Sequence, residues 1–135
     1  LAGTGRGYTV DPDARALLLA GDETALPAIA TVLEAIPTSV ETTVVVEVAR
    51  PDARLDLPLP PGTHVTWCDL PLGAAPGSAL VEAVVALPLA AAAVVWAAGE
   101  AAAMQRIRRH LFEQVGVPRD QAVVRGYWKH GRNAD

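Results

Sequence analysis

A single glycine, two acids and a threonine follow one another in the stretch Ala20-Gly21-Asp22-Glu23-Thr24-Ala25-Leu26-Pro27. A glycine just ahead of a helix start lets backbone amides approach a phosphate. A full phosphate-binding turn carries several glycines; this one has Gly21 alone, and Asp22 and Glu23 repel a phosphate. Two readings stay open. In one, Asp22, Glu23 and Thr24 simply cap the helix that follows. In the other, the amides of residues 23–25 donate to phosphate, while the acids turn aside or accept from ribose hydroxyls.

Other chemistry-bearing residues are scattered. Arg50 and Arg54 follow a β-branched run. Arg106, Arg108, Arg109 and His110 lie within five residues, and 106, 109 and 110 share a helix face. Such a run is either an anion-attracting face or solvated surface. Lys129, His130 and Arg132 make the tail basic. Cys68 is a lone thiol with nothing nearby in sequence to activate it, so disulfides and cysteine-based zinc sites are excluded. His64 has no partner at metal-ligand spacing, and no metal site is expected. No Ser-His-Asp arrangement or paired-carboxylate spacing stands out.

Composition narrows the classes. Hydrophobic residues make up 51% of the 135 and aromatic ones only 4%, so the core is built from Ala, Val, Leu and Ile. A net charge of −4 argues against a nucleic-acid partner, which would need a basic face to displace counterions. Residues 1–7 lack the apolar run of a signal peptide. The apolar stretch 80–98 is interrupted by Glu82 and Pro88, so no membrane insertion is expected. One cysteine is compatible with a reducing, cytoplasmic location.

These residues need elements to hold them. Residues 1–14 read as a linker and 15–135 as one domain. Short apolar or β-branched runs at 15–20, 42–48, 64–68, 91–97 and 121–126 read as strands. Helices are expected at 24–36, with Pro27 in its first turn and Pro37 as its stop; at 78–87, capped by Ser78; and at 100–114, closed by Gly116-Val117-Pro118. Leu55, Leu57 and Leu59 alternate as a short edge piece would. Strands alternating with helices, apolar on both faces, predict an α/β fold: a three-layer, doubly wound, about five-stranded, mostly parallel sheet. Its ligands would lie beyond the strand ends, at 21–25, 49–54, 68–77, 98–101 and 126–130. Arg50 and Arg54 then fall where an adenosine ribose normally lies; arginine there suits a 2′-phosphate, and Glu47 is an alternative partner for a ribose hydroxyl.

Gly21-Asp22-Glu23-Thr24-Ala25-Leu26-Pro27-Ala28-Ile29, Trp96-Ala97-Ala98-Gly99-Glu100, Arg108-Arg109-His110-Leu111 and Gly126-Tyr127-Trp128-Lys129 together resemble the C-terminal domain of the siderophore-interacting protein family, within the ferredoxin-reductase superfamily. Gly5-Arg6-Gly7 and Asp11-Pro12-Asp13 are similar to that family's junction before this domain. The resemblance implies a two-domain enzyme. A β-barrel domain holds FAD, this domain binds NADPH or NADH, and electrons reach Fe(III) in a siderophore. The barrel would precede this chain, which alone would be inactive.

The resemblance also implies roles for residues. Gly21, Asp22, Glu23, Thr24 and Ala25, with Gly99, Glu100 and Ala101 near the nicotinamide, would bind the cofactor, together with Arg50 and Arg54. Relatives often carry Cys-Gly where this chain has Ala98-Gly99, so no thiol role carries over. They often place a basic residue soon after the equivalent of Trp67, but Cys68-Asp69-Leu70 follows here. Tyr127 or Trp128 would lie against the flavin, with at least one of the two rings in the core because neighbours on a strand face opposite ways. Lys129, His130, Arg132 and Arg109 would attract an anionic ferric siderophore. Two alternatives remain: a non-catalytic ferric-siderophore-binding domain, and a protein-interaction domain.

Overall fold

The computed structural model describes residues 14–37, 39–90 and 92–131. The expected linker lies outside them except for Ala14, and so does Arg132 at the tail. Ala14 itself is buried.

Five strands form one sheet: β1 Ala16–Asp22, β2 Glu41–Val48, β3 Thr63–Asp69, β4 Val94–Glu100 and β5 Ala122–Trp128. Their order is β3-β2-β1-β4-β5, and each of the four pairings is parallel. The chain winds outward from β1 to β3, then returns to β4 beside β1. Strand order therefore reverses between β1 and β4, as the doubly wound reading predicts.

Helix α1 (Leu26–Ala35) covers one face, while α2 (Ser78–Ala86) and α3 (Ala101–Arg109) cover the other. The period of two along each strand makes this possible. Leu17 and Leu19 join Ile29, Leu33, Val44, Val46 and Trp96 in the α1 core; Leu18 and Ala20 join Val45, Leu80, Val95, Met104 and Ile107 in the other. Residues 17–20 are at most 2% exposed. Each buried leucine among them contributes roughly 1.5–3 kcal/mol. An all-parallel sheet needs such cover on both faces.

Several expectations are corrected. Leu55, Leu57 and Leu59 form no strand; a tight turn at Pro51–Ala53 leads into irregular chain, where Pro58, Pro60 and Pro61 cannot donate to a ladder. Leu57 packs on the α1 core instead, and Leu55 and Leu59 stay exposed. Ser78 does not cap α2. Gly77 takes that place with φ 89°, and an added Cβ there would stand 2.3 Å from the Ala103 Cβ. The capping oxygens come from buried Glu47, which accepts from the Gly77 amide (2.7 Å) and the Leu80 amide (3.0 Å). The third helix stops being α-helical at Arg109 and widens into a π turn over His110–Val115. That turn closes where the Gly116 and Val117 amides both reach the Leu111 carbonyl, at 2.9 and 2.8 Å. Finally β1 runs on to Asp22 and β4 to Glu100, so these acids are strand-end residues rather than loop residues.

Candidate functional site

All five strands end at the same rim because all run the same way. Gly21 pairs with Ala98 in register there, and the turn Glu23–Ala25 leads directly into α1. The segments around Thr24 and Gly99 thus meet at the point where strand order reverses. Close approach requires small residues. A Cβ on Gly21 would lie 2.5 Å from the Ala25 Cβ and 2.9 Å from the Ala98 carbonyl oxygen; one on Gly99 would lie 2.8 Å from Asp22 Oδ2.

Asp22 is 8% exposed and is the centre of the rim. Its Oδ1 accepts from the Thr24 amide (2.9 Å) and from the Thr24 hydroxyl. Its Oδ2 accepts from the Glu100 amide (3.1 Å) and from the Trp128 indole N–H (2.9 Å). Of the two readings of this acid, the geometry is that of a cap. Glu23 is exposed and reaches sideways: its Oε2 accepts from the Ala49 amide at 2.6 Å, just past the end of β2.

Glu100 repeats the pattern at α3. Its Oε1 accepts from the Ala103 amide (2.9 Å) and its Oε2 from the His130 amide (3.1 Å). Burial by itself pushes this carboxyl up, but the amides of Ala103, His130 and Ala102, with the nearby His130 ring, outweigh it and hold it below the usual range. Ala101 is half-buried at the start of that helix, and a Cβ on Gly126 would touch it at 3.3 Å. Asp22, Glu47 and Glu100 therefore each supply carboxylate oxygens to the first amides of a helix or turn, where a negative charge also suits the helix dipole.

The arginines after β2 are both paired. Arg50 lies 3.3 Å from Asp52 with both side chains largely exposed, and Arg54 makes a two-pronged contact with Asp69 at 3.0 and 2.9 Å. Asp69 was not foreseen as a partner; a contact 15 residues apart leaves no local signal. Glu47, considered as a ribose partner, is 3% exposed and turned to α2.

The two aromatic rings differ from expectation. Neither is core: Tyr127 is 43% exposed and Trp128 37%. The reason is a bulge. Gly99 pairs with Gly126 but Glu100 pairs with Trp128, so Tyr127 is an extra residue that breaks the alternation. Tyr127 then meets buried Trp96 edge-on at 6.4 Å, while Trp128 turns its N–H to Asp22 and its edge to His130 at 6.3 Å.

Lys129 and His130 are exposed directly after β5, at this same rim. Arg109 is not with them. Helix α3 runs back from the rim, so Arg109 lies about 12 Å along it from Ala101. There it borders a shallow cleft with Arg108, Phe112 and Arg119, whose guanidinium covers the Phe112 ring at 4.6 Å. Arg108 donates to the Val124 carbonyl. Cys68 is half-buried, and burial, then Glu47, then Asp69 push its thiol up. Among the described residues no three His, Cys, Asp or Glu side chains are placed to hold a metal, and no helix is long and apolar enough to cross a membrane.

Comparison with known proteins fixes the family. The model of the family described as siderophore-interacting protein matches residues 14–131. Uncharacterized proteins of Mycobacterium tuberculosis and Mycobacterium bovis are 38% identical over a 146-residue alignment that takes in all of this chain and 52% of theirs. This chain therefore spans about half the length of those relatives. Among solved structures, it is similar to the siderophore-interacting protein SipS from Aeromonas hydrophila, with 31% identity, a TM-score of 0.76, and coverage of 90% of this chain and 54% of that one. A siderophore utilization protein from T. fusca is 37% identical with a TM-score of 0.79, covering 92% and 48%. The siderophore-interacting protein from Acinetobacter baumannii, at 19% identity and TM-score 0.82 over 95% and 52%, shares the fold. The chain belongs to the siderophore-interacting protein family.

Proposed function

We propose that this chain is the nicotinamide-nucleotide-binding half of a flavin-dependent ferric-siderophore reductase. The observation that carries the reading is the meeting of residues 21–25 and 98–101 at one rim of a parallel sheet, where strand order reverses. Family membership supports the siderophore side. NADH or NADPH would give hydride to FAD, held mainly by a second domain of the same protein, and the flavin would pass single electrons to Fe(III), whose weaker Fe(II) complex releases its metal. A cytoplasmic location belongs to the same reading.

The residues at the rim fit the hydroxyl-bearing edges of such a cofactor. Glu23 is exposed at the end of β2 and can accept from a ribose hydroxyl. Pyrophosphate has fewer partners, because the Thr24 amide is already held by Asp22. Its charge would be met by the exposed Lys129 after β5, with His130 beside it as a hydrogen-bond donor. Gly99 lets Asp22 approach β4 closely, half-buried Ala101 opens α3 at the rim, and Trp128, tied to Asp22, stands beside it. Tyr127 and Trp128 are the exposed rings on which a flavin would lie.

The test is a titration of the labelled chain with NADH and with NADPH, following the amide signals of residues 21–25 and 98–101. Shifts confined to those amides support the reading. No change at millimolar cofactor overturns it.

A second reading, a ferric-chelate-binding domain with no redox part, rests on the basic tail from Lys129 to Arg132, of which Lys129 and His130 are exposed. It expects a ferric siderophore to bind this chain alone. Equal binding by the double variant Lys129→Ala, Arg132→Ala eliminates it.

A further inference from the structure

We infer that Glu23 is the residue that selects between the two nicotinamide cofactors, and that it selects NADH. This rests on the dinucleotide reading of the rim. In a doubly wound sheet the adenosine ribose lies at the end of the second strand. An acid there accepts from the free 2′-hydroxyl of NADH, while an arginine accommodates the 2′-phosphate of NADPH. In this chain β2 ends with Glu47-Val48, and Ala49-Arg50 follow it. Glu47 is unavailable, since it is buried and holds the Gly77 and Leu80 amides.

Its place is filled from the neighbouring strand. The turn after β1 projects Glu23 across to β2, where Oε2 takes the Ala49 amide at 2.6 Å. That bond holds the carboxylate of this exposed residue at the strand end through Oε2, with Oε1 as the second acceptor. The guanidinia that could answer a phosphate are already matched by acids. Arg54 is held in two-pronged fashion by Asp69, and Arg50 is beside Asp52. Glu23, Asp52 and Asp69 thus oppose Arg50 and Arg54, three negative charges to two positive. A 2′-phosphate would add its own negative charge to a spot already short of cations. A 2′-hydroxyl would instead donate to Glu23.

The experiment measures the dissociation constants of NADH and NADPH for the chain and for the Glu23→Gln variant, by calorimetry and by amide shifts at residues 23–25 and 49–50. Gln keeps one oxygen for the Ala49 amide and puts an NH2 donor in place of the second oxygen, so the charge and the acceptor for a 2′-hydroxyl are removed together. The expected result is that NADH binds the wild-type chain about tenfold more tightly than NADPH, and that Glu23→Gln narrows the gap from both sides, weakening NADH by the lost acceptor and tightening NADPH by the lost charge. Equal binding, or tighter NADPH, in the wild-type chain overturns the inference while leaving the dinucleotide reading in place. A preference for NADH that Glu23→Gln leaves unchanged removes Glu23 as its source. Failure of both cofactors to bind sinks the inference together with the reading beneath it.

Discussion

The indole N–H of Trp128 donates to Asp22 Oδ2 at 2.9 Å, joining residues 106 positions apart in the chain. The same oxygen accepts the Glu100 amide. One carboxylate therefore ties the end of β1, the end of β4 and the end of β5.

Replacing Asp22 by Ala should release the Trp128 ring. The chain has three tryptophans, so the indole N–H region of a nitrogen-proton spectrum holds three signals, and Trp128→Phe identifies one. In Asp22→Ala that signal should shift and exchange faster with water, and stability should fall by about 1–3 kcal/mol from the buried amide left unpaired. A Trp128 signal that stays in place would show that the bond does not hold the ring.

Glu100 should make the fold acid-sensitive. Its folded value is depressed below the ordinary 4.5. The stability it contributes is then complete above that ordinary value and is lost as pH falls through the lower folded one. Melting temperature should drop as pH falls below the ordinary 4.5 and through the lower folded value, and Glu100→Gln should flatten that drop. An equally steep acid limb in the variant would place the effect elsewhere.

Gly21 should tolerate no side chain. The Cβ of Gly21→Ala would press on the Ala25 Cβ and on the backbone oxygen of Ala98. Neither is the end of a flexible chain. A loss of about 1–3 kcal/mol is expected in urea unfolding. An unchanged urea midpoint would mean that the turn can move off β4 freely.

Removing the carboxylate of Glu47 should loosen α2. Glu47→Ala leaves the Gly77 and Leu80 amides without their acceptor and opens space beneath the helix. About 2–4 kcal/mol should be lost, with hydrogen exchange fastest over residues 77–81. Uniform exchange across the domain would argue against a local cap.

The architecture was legible because run length and punctuation carried it. Apolar runs bounded by Gly and Pro marked all five strands, and Pro27 with Pro37 framed α1. What was hidden lay in contacts between distant residues. Ser78 reads as a cap only until Glu47 arrives, 30 residues before Gly77 and 33 before Leu80. The bulge that exposes both Tyr127 and Trp128 depends on the register of β5 against β4, which no local pattern records. At the rim, the sequence located the acids but not their partners. Asp22 meets Glu100 across 78 positions, and Glu23 meets Ala49 across 26. Arg109, grouped with Lys129 and His130 by charge alone, lies away from them, because a cluster of like charges says nothing about which end of the sheet it occupies.

The acids that close the starts of α2, α3 and the first turn belong to the protein itself, so these amides do not wait on a visiting anion to be satisfied. Their order is built into the chain. On the proposed reading, a nucleotide would arrive and leave without any part of the rim having to melt and reform.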